Sequence, residues 1–349
     1  MARRQWLGWA FRLVALWISL ASVMFVLEVA LRTIPSLQEL DSPMPIYFPA
    51  YLTELDQDIT RAQHAVASVH PLGFNDVIYP QAKPPGEFRI ALVGDSFVGG
   101  DGLADDSMRW GRKLEARMNA RYENAKILQW GQDGWSTKDQ LAHLKAHVSD
   151  YGIDAIVIGW VINDPDLDRF KQQYLPTRKV LKALQYKRLF PEATKWVTDY
   201  LGNVIHPWLG WGYGLWEQRL FEPENLAEYE LLLRELDALL VEKGVPYVVA
   251  LTPSDGGTRH DALYAKVKPI FARLGIETLD LLPAIRASLG GEPSRAYWAN
   301  LVDPHPGDPV TEVYAEEVAK MLYVACSASA GQLRGCDFDS KRRSMWAAE

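Results

Sequence analysis

Short apolar segments alternate with segments of helical periodicity from residue 88 onward, and this alternation constrains the fold more than any other feature. Five segments have the composition of buried strands: 88–93, 125–129, 154–159, 246–251 and 276–279. The segments between them predict amphipathic helices that begin near Ser107 and Thr137 and that cover Asn225–Glu242 and Pro309–Val324. Strands that alternate with helices form a mainly parallel sheet with helices on both faces. The sequence therefore predicts an α/β fold.

The N-terminus combines basic residues with a long apolar segment. Arg3 and Arg4 precede residues 6–32, in which the stretch from Leu13 to Leu27 carries no charge. Positive charge on the N-terminal side of such a segment is typical of a transmembrane helix whose N-terminus is cytoplasmic. A cleaved signal peptide is the alternative. Both interpretations place the rest of the chain outside the cytoplasm, and we expect a single-pass protein of the inner (cytoplasmic) membrane with a periplasmic domain.

Composition divides the chain into five predicted parts. They are a cytoplasmic N-terminus (1–5), the transmembrane helix (6–32), a proline-containing stalk (33–87), the α/β domain (88–325) and a C-terminal tail (326–349). The domain contains an insertion, residues 165–224, which is rich in Trp and Gly and is longer than an ordinary connection. We expect this insertion either to cover a site, where it contacts sugar rings, acyl chains or the membrane, or to form a local aromatic core.

Charge and cysteine content limit the partners and the compartment. The net charge of −7 and the pI of about 5.6 argue against a nucleic-acid partner. The two cysteines, Cys326 and Cys336, can close a small loop in an oxidising compartment, and two unpaired thiols are the alternative.

Polar residues at the two ends of the domain match the parts of a nucleophilic hydrolase. Ser96 follows the first predicted strand directly, and the carboxyl ends of parallel strands form the ligand-binding edge of such sheets. Asp303 and His305 lie just before the last predicted helix. We expect Ser96 to be the nucleophile, His305 the base that takes its proton, and Asp303 the carboxylate that orients the imidazole. Asp95, beside the nucleophile, is expected to brace the loop through hydrogen bonds.

Four short blocks resemble the SGNH hydrolases, also called the GDSL family, in the order that this family has. They are Gly94–Ser96, Gln129–Gly134, Gly159–Asp164 and Asp303–His305. The resemblance covers about 89–325 without the insertion. It implies a flavodoxin-like three-layer sandwich with a central parallel sheet, here preceded by the transmembrane helix.

The resemblance also implies how an oxyanion is bound. Its donors are the N–H of Ser96, the N–H of Gly131 and the side-chain amide of Asn163. Val98 stands where the α/β-hydrolase pattern Gly-x-Ser-x-Gly has its second glycine, which favours the SGNH sheet over that fold. Gly307, after the last block, replaces an asparagine that is frequent in the family.

Other polar patterns do not predict a metal or a cofactor. His143 and His147 have helical spacing but lack the intervening glutamate of a metalloprotease. The acidic run Asp164, Asp166 and Asp168 is interpreted as a solvated loop, with a cation site as the less favoured alternative. We therefore expect no bound metal and no cofactor.

These patterns together predict a membrane-anchored serine esterase or O-acyltransferase that works through an acyl-enzyme on Ser96. The resemblance implies substrates that carry acetyl or acyl groups on an exported polysaccharide or cell-envelope glycan, and a multi-spanning acyltransferase or another envelope-assembly protein as partner. One alternative is a lipid esterase at the membrane surface. The other is a non-catalytic SGNH-like scaffold that binds glycan in an envelope assembly.

Overall fold

A computed structural model of the chain describes residues 2–33, 76–168, 213–292, 294–299 and 304–338. The chain divides into two compact units, Met1–Tyr51 with Lys171–Trp216, and Leu52–Phe170 with Glu217–Glu349. Most of the predicted stalk and most of the predicted insertion lie outside the described residues.

The first unit contains a long helix, α1 (Ala2–Thr33), which covers the predicted segment 6–32. Nine of its large apolar side chains, from Val14 to Val29, are between 43% and 67% exposed. No helix within the described ranges is long and apolar enough to cross a membrane, in contrast to the prediction for residues 6–32.

The second unit is built around a sheet of five parallel strands, which confirms the predicted α/β fold with a central parallel sheet. The strands are β1 (Phe88–Gly94), β2 (Ala125–Gly131), β3 (Ala155–Trp160), β4 (Tyr247–Leu251) and β5 (Thr278–Asp280). Their order across the sheet is β2-β1-β3-β4-β5, which is the flavodoxin-like order. The chain reverses its direction of winding between β1 and β3, and folds of this kind bind ligands at the carboxyl ends of those two strands.

The helices predicted from Thr137, over 225–242 and over 309–324 are all present. In chain order after α1 the helices are α2 (Ser96–Gly99), α3 (Trp110–Asn119), α4 (Thr137–His147), α5 (Tyr213–Leu220), α6 (Pro223–Lys243), α7 (Asp261–Leu274), α8 (Leu282–Leu289) and α9 (Asp308–Ala325). The prediction that a helix begins near Ser107 is wrong, because Asp105 caps a single 3-10 turn there and α3 begins only at Trp110.

Helices cover both faces of the sheet. On one face, α3, α8 and α9 enclose a core with Ile90 and Leu92 of β1, and Trp110 of α3 contacts Tyr314 of α9 edge to face at 5.7 Å. On the other face, Trp160 of β3 contacts side chains of α7, with Tyr264 at 5.6 Å. Burial of these large apolar surfaces is the main stabilising contribution to the domain.

Side chains cover the free edge of strand β2. The carboxylate of Glu115 accepts the backbone N–H of Ile127 at 2.7 Å, and that of Asp76 accepts the N–H of Gln129 at 2.8 Å. The guanidinium of Arg112 lies 3.2 Å from Asp76. These contacts satisfy backbone groups of an edge strand and prevent it from pairing with another strand.

A disulfide joins Cys326 and Cys336, which the sequence left open. It connects the two strands of a small hairpin, β6 (Cys326–Ser329) and β7 (Gln332–Cys336), which follows α9 directly.

Candidate active site

The turn that carries Ser96 lies between the end of β1 and the start of α2. Asp95 is the capping residue of α2, and its Oδ1 accepts the backbone N–H of Phe97 at 2.8 Å. The carbonyl of Asp95 accepts the N–H groups of Val98 at 3.1 Å and Gly99 at 2.9 Å. This capping places Ser96 at the first position of α2, at the carboxyl edge of the sheet.

Three glycines make room for this turn, and we call them the glycine row: Gly94, Gly131 and Gly159. They are in register across strands β1, β2 and β3. A Cβ added at Gly94, Gly131 or Gly159 would lie 2.5, 2.7 or 2.8 Å from the side chain of Val98. The row is therefore a hollow that the Val98 side chain fills, and it lets α2 approach the sheet closely.

A tryptophan of α3 holds the same turn from the core side. The indole Nε1 of Trp110 donates to the carbonyl oxygen of Phe97 at 3.1 Å, and the Trp110 side chain is fully buried. In the sequence, the helical spacing of Trp110 indicates only a position on an apolar helix face. A buried indole normally needs an acceptor, and here it finds one in the turn of the nucleophile.

His305 meets Ser96 at this edge of the sheet. Its Nε2 lies 2.9 Å from the Ser96 Oγ, although the two residues are 209 positions apart in the chain. Both residues are buried, at 5% exposure for Ser96 and 2% for His305. The ring of Phe97 contacts the imidazole edge to face at 5.7 Å. A hydrogen bond that is shielded from water in this way is electrostatically stronger than one in solvent.

Backbone contacts hold the segment of His305 in place. The carbonyl of His305 accepts the N–H of Ala299 at 2.7 Å, and Gly307 donates its N–H to the carbonyl of Tyr297 at 2.7 Å. A Cβ on Gly307 would lie 2.2 Å from the carbonyl oxygen of Trp298. This close approach explains why glycine stands at 307.

The amide of Asn163 lies beside the nucleophile turn. Its Nδ2 is 3.3 Å from the Oδ2 of Asp95 and 3.4 Å from the carbonyl oxygen of Trp135. The same Oδ2 of Asp95 is 3.4 Å from the Ser96 Oγ. The structure therefore brings Ser96, Asp95, Asn163 and His305 together. Asp303 lies outside the described residues.

Asp95 is a buried carboxyl group with a perturbed pKa. Burial raises the pKa of Asp95 from 3.8 to about 6, and the nearby charge of Asp133 adds to the rise. The Phe97 N–H, the charge of His305 and the Asn163 amide act in the opposite direction. A carboxyl group with this pKa changes its charge just below neutral pH.

Gly131 packs closely against the backbone of α2, and this packing determines its position. It ends β2, and a Cβ there would lie 2.4 Å from the backbone nitrogen of Gly99. The turn that follows contains Gly134 at a φ of 73°, and the N–H of Trp135 bonds the carbonyl of Gln132 at 3.1 Å. The contribution of the Gly131 N–H to an oxyanion hole stays a prediction.

The prediction that Asp164, Asp166 and Asp168 form a solvated loop is wrong for the first two residues. Asp164 and Asp166 are buried, at 0% and 4% exposure, and only Asp168 is exposed. The Asp164 carboxylate accepts the N–H of Val161 at 2.7 Å and the amide of Gln140 at 2.6 Å. Burial, and secondarily the charge of Asp95, raise the pKa of Asp164 well above its ordinary value. Asp164 thus fixes the loop that carries Asn163.

This buried network has a weak signature in the sequence. Thr137 and Gln140, one turn apart on α4, both contact Asp164, at 3.2 Å and 2.6 Å. The hydroxyl of Tyr229 lies 3.0 Å from that of Thr137 and accepts the indole N–H of Trp160 at 2.8 Å. Polar residues on the inner face of an amphipathic helix indicate a buried polar partner.

The two histidines at helical spacing, His143 and His147, have aromatic and acidic neighbours. The ring of His143 packs against Trp130 at 4.8 Å and Trp135 at 5.3 Å, and His147 lies 3.4 Å from Asp150. Within the part of the chain that the structure describes, no group of three or more His, Cys, Asp or Glu side chains could hold a metal ion.

Comparisons with known proteins give structural likeness only. No protein-family model and no curated protein sequence matches the chain. A lipase/acylhydrolase from Enterococcus faecalis is 16% identical with a TM-score of 0.41, covering 67% of this chain and 95% of its own. A catalytic mutant of Axe2, an acetylxylan esterase from Geobacillus stearothermophilus, is 18% identical with a TM-score of 0.41, covering 68% and 95%. A putative lipolytic protein of the G-D-S-L family from Desulfitobacterium hafniense DCB-2 is 10% identical with a TM-score of 0.38, covering 67% and 99%.

Proposed function

We propose that the protein is a serine esterase that forms an acyl-enzyme on Ser96. The observation that carries this proposal is the 2.9 Å contact between the Ser96 Oγ and the His305 Nε2. It lies where the chain changes its direction of winding, at the carboxyl end of β1, and both residues are buried. A nucleophile and a base within hydrogen-bond reach are the minimum that acyl transfer requires.

The proposed first step is attack of the Ser96 Oγ on the ester carbonyl. The His305 Nε2 takes the hydroxyl proton as the C–O bond forms, and it returns the proton to the leaving alcohol as the ester bond breaks. In the second step His305 takes a proton from water as the water oxygen bonds the acyl carbon, and it returns that proton to the Ser96 Oγ as the bond between Oγ and the acyl group breaks and the acid is released. Transfer to a sugar hydroxyl uses the same acyl-enzyme, with the hydroxyl in place of water. The proposed role of Asp303 is to orient the imidazole.

The proposed oxyanion donors are three groups near Ser96. Ser96 is the first residue of α2, and the N–H of a first helical residue has no intrahelical acceptor. Among the described residues, the contacts of the Asn163 Nδ2 are long, at 3.3 and 3.4 Å, and this group would gain by bonding a charged oxygen. Each such donor typically contributes about 2.7–4 kcal/mol to the lowering of the barrier. The N–H of Gly131 is the third proposed donor.

We further propose that the substrate is an acetyl or acyl ester of an exported polysaccharide or envelope glycan, met at a membrane outside the cytoplasm. The exposed apolar side chains of α1, such as Leu16 and Val26, support membrane attachment through this helix. The disulfide between Cys326 and Cys336 supports an oxidising compartment. Membrane fractionation tests the proposed membrane attachment. Protease treatment of intact and opened cells tests the proposed location outside the cytoplasm.

The esterase proposal is tested with the full-length protein in detergent. Release of p-nitrophenol from p-nitrophenyl acetate is followed, and intact mass is recorded for an acetyl adduct. Ser96→Ala should abolish both, whereas Ser107→Ala, which alters an exposed serine of the same unit, should change neither. Unchanged turnover in Ser96→Ala would refute the proposal. A folded wild type without turnover or adduct would favour the non-catalytic scaffold.

The same assay distinguishes the second candidate function, a lipid esterase, from a glycan acetyl esterase. The exposed apolar helix α1 is the observation that favours it. A series of p-nitrophenyl esters with longer acyl chains should show activity that falls with chain length for a glycan acetyl esterase and rises with chain length for a lipid esterase.

A further inference from the structure

We propose that Asp95 is a positioning residue, whose ionised carboxylate holds the amide of Asn163 with Nδ2, not Oδ1, directed toward Ser96. This inference rests on the proposed function, because it concerns the residue to which that proposal assigns an oxyanion contact. It assigns to Asp95 a role beyond bracing the loop.

The carboxylate of Asp95 is oriented before it meets Asn163. Its Oδ1 is held by the backbone N–H of Phe97 at 2.8 Å, as the cap of α2. Its Oδ2 is therefore directed to the other side, where it lies 3.3 Å from the Asn163 Nδ2 and 3.4 Å from the Ser96 Oγ. One carboxylate oxygen thus lies between the proposed nucleophile and the proposed oxyanion donor.

The ionised state of Asp95 decides which end of the amide faces it. The two ends of an asparagine amide have nearly the same shape, so hydrogen bonding decides the orientation. An ionised carboxylate only accepts, and the second neighbour of Nδ2, the carbonyl of Trp135, also only accepts. A neutral carboxylic acid or amide at position 95 can donate to the Asn163 Oδ1. The rotated amide would then present an oxygen to the oxyanion, and a donor would be replaced by a repelling acceptor.

A buried charge at this position has a cost that a purely structural cap does not require. Asp95 is 2% exposed, and burial raises its pKa to about 6. Among the charged groups that act on it, His305 favours the ionised form and Asp133 opposes it, and the charge of Asp95 in turn raises the pKa of Asp164. An asparagine would cap α2 as well and without this cost. A functional role for the charge explains why it is tolerated.

The first test is a double-mutant cycle on the full-length protein at pH 8, with p-nitrophenyl acetate. Asn163→Ala should lower kcat by roughly 100-fold or more, as loss of one oxyanion donor does. Asp95→Asn should lower kcat by about 10-fold or more with little change in KM. If Asp95 acts through Asn163, Asp95→Asn should have almost no further effect in the Asn163→Ala background. Losses that multiply in the double variant would overturn the inference.

A matched control separates this role from capping alone. Asp105 makes the same kind of contact in the same unit, because its Oδ1 accepts the N–H of Ser107 at 2.7 Å. Asp105→Asn should leave kcat unchanged. The melting temperature of Asp95→Asn should equal or exceed that of the wild type at pH 8, because the substitution removes a buried charge. A lower melting temperature together with multiplying losses would assign Asp95 a structural role only.

A second measurement does not require a variant at Asp95. The ratio of kcat between the wild type and Asn163→Ala is recorded from pH 5 to pH 8. Titration of His305 affects both proteins, so its influence largely cancels from the ratio. The ratio should be large at pH 8 and should fall as Asp95 is protonated, and a constant ratio would overturn the inference. Full activity in Ser96→Ala would instead refute the proposed function itself, so the two failures are distinguishable.

Discussion

Replacement of Gly131 by alanine tests whether packing or hydrogen bonding is the main role of this glycine. Alanine keeps the backbone N–H, so a role limited to that donor predicts little change. The added Cβ, however, would lie 2.4 Å from the backbone nitrogen of Gly99 and 2.7 Å from the backbone carbon of Val98. Because both atoms belong to the backbone of α2, rotation of a side chain cannot relieve the contact.

The size of the effect follows from these distances. An ordinary contact needs at least 3.4 Å, so the turn that carries Ser96 must move by about 1 Å. A displacement of that size at a reacting group costs roughly 100-fold in rate, and overpacking of this kind costs about 1–3 kcal/mol of stability. We therefore expect Gly131→Ala to fold, to be moderately less stable and to lose about 100-fold in kcat/KM.

The assay is ester hydrolysis at saturating and limiting p-nitrophenyl acetate, beside thermal unfolding of the same samples. Gly244→Ala is the control, because Gly244 ends α6 at a φ of 64° and a Cβ there meets nothing within 4 Å. It should lose about 1 kcal/mol of stability and no activity. Wild-type kcat/KM in Gly131→Ala would refute the argument that the glycine row positions the nucleophile.

Three further outcomes are expected. Reduction of the disulfide should cost about 3 kcal/mol of unfolding free energy, because the bridge closes a loop with a sequence separation of 10. The double variant Cys326→Ser, Cys336→Ser should have the same effect. Thermal unfolding with and without reductant measures it. Asp76→Ala should cost about 2 kcal/mol in urea unfolding, because it leaves the buried N–H of Gln129 without its acceptor and removes one of the two carboxylates beside Arg112. An unchanged midpoint would contradict the proposed cover of the sheet edge. The raised pKa of Asp95 means that the folded state binds this proton more tightly than the unfolded state, so the stability from this group is complete below pH 3.8 and lost as the pH rises through about 6. Relative to Asp95→Asn, the wild type should therefore lose roughly 2 kcal/mol between pH 4 and pH 7, measured by urea unfolding at each pH.

The fold was largely predictable because its determinants are local. Strands such as Phe88–Gly94 are buried along their whole length and appear in the sequence as continuous apolar runs. The end of α6 at Gly244 was predictable for a similar reason, since a left-handed residue after a helical repeat favours glycine. The start of α3 was missed because serine is a common capping residue, whereas here Asp105 is the cap and accepts the N–H of Ser107 itself, within a 3-10 turn that precedes α3.

The candidate site was predictable in its residue types and only partly in its geometry. Ser96 follows a buried strand, and that position alone directs it to the ligand-binding edge. The burial of Asp164 was not predictable, because its partners lie on α4, 24 and 27 residues earlier in the chain. An acidic run without such partners would be solvated. The local sequence of a solvated run and of a buried run is the same, so it does not distinguish them.

By itself, the sequence determined the parallel α/β sheet, the position of Ser96 at the end of β1 and the helices around it. These features follow from the period of apolar residues and from turn residues, which act over a few positions. Only the tertiary structure decided that Cys326 pairs with Cys336, that Gly94, Gly131 and Gly159 form one hollow, and that Asp95 lies between Ser96 and Asn163. The disulfide joins cysteines 10 positions apart in one hairpin. The other two are contacts between segments distant in sequence, and strand order and register, which no local pattern encodes, determine which segments meet.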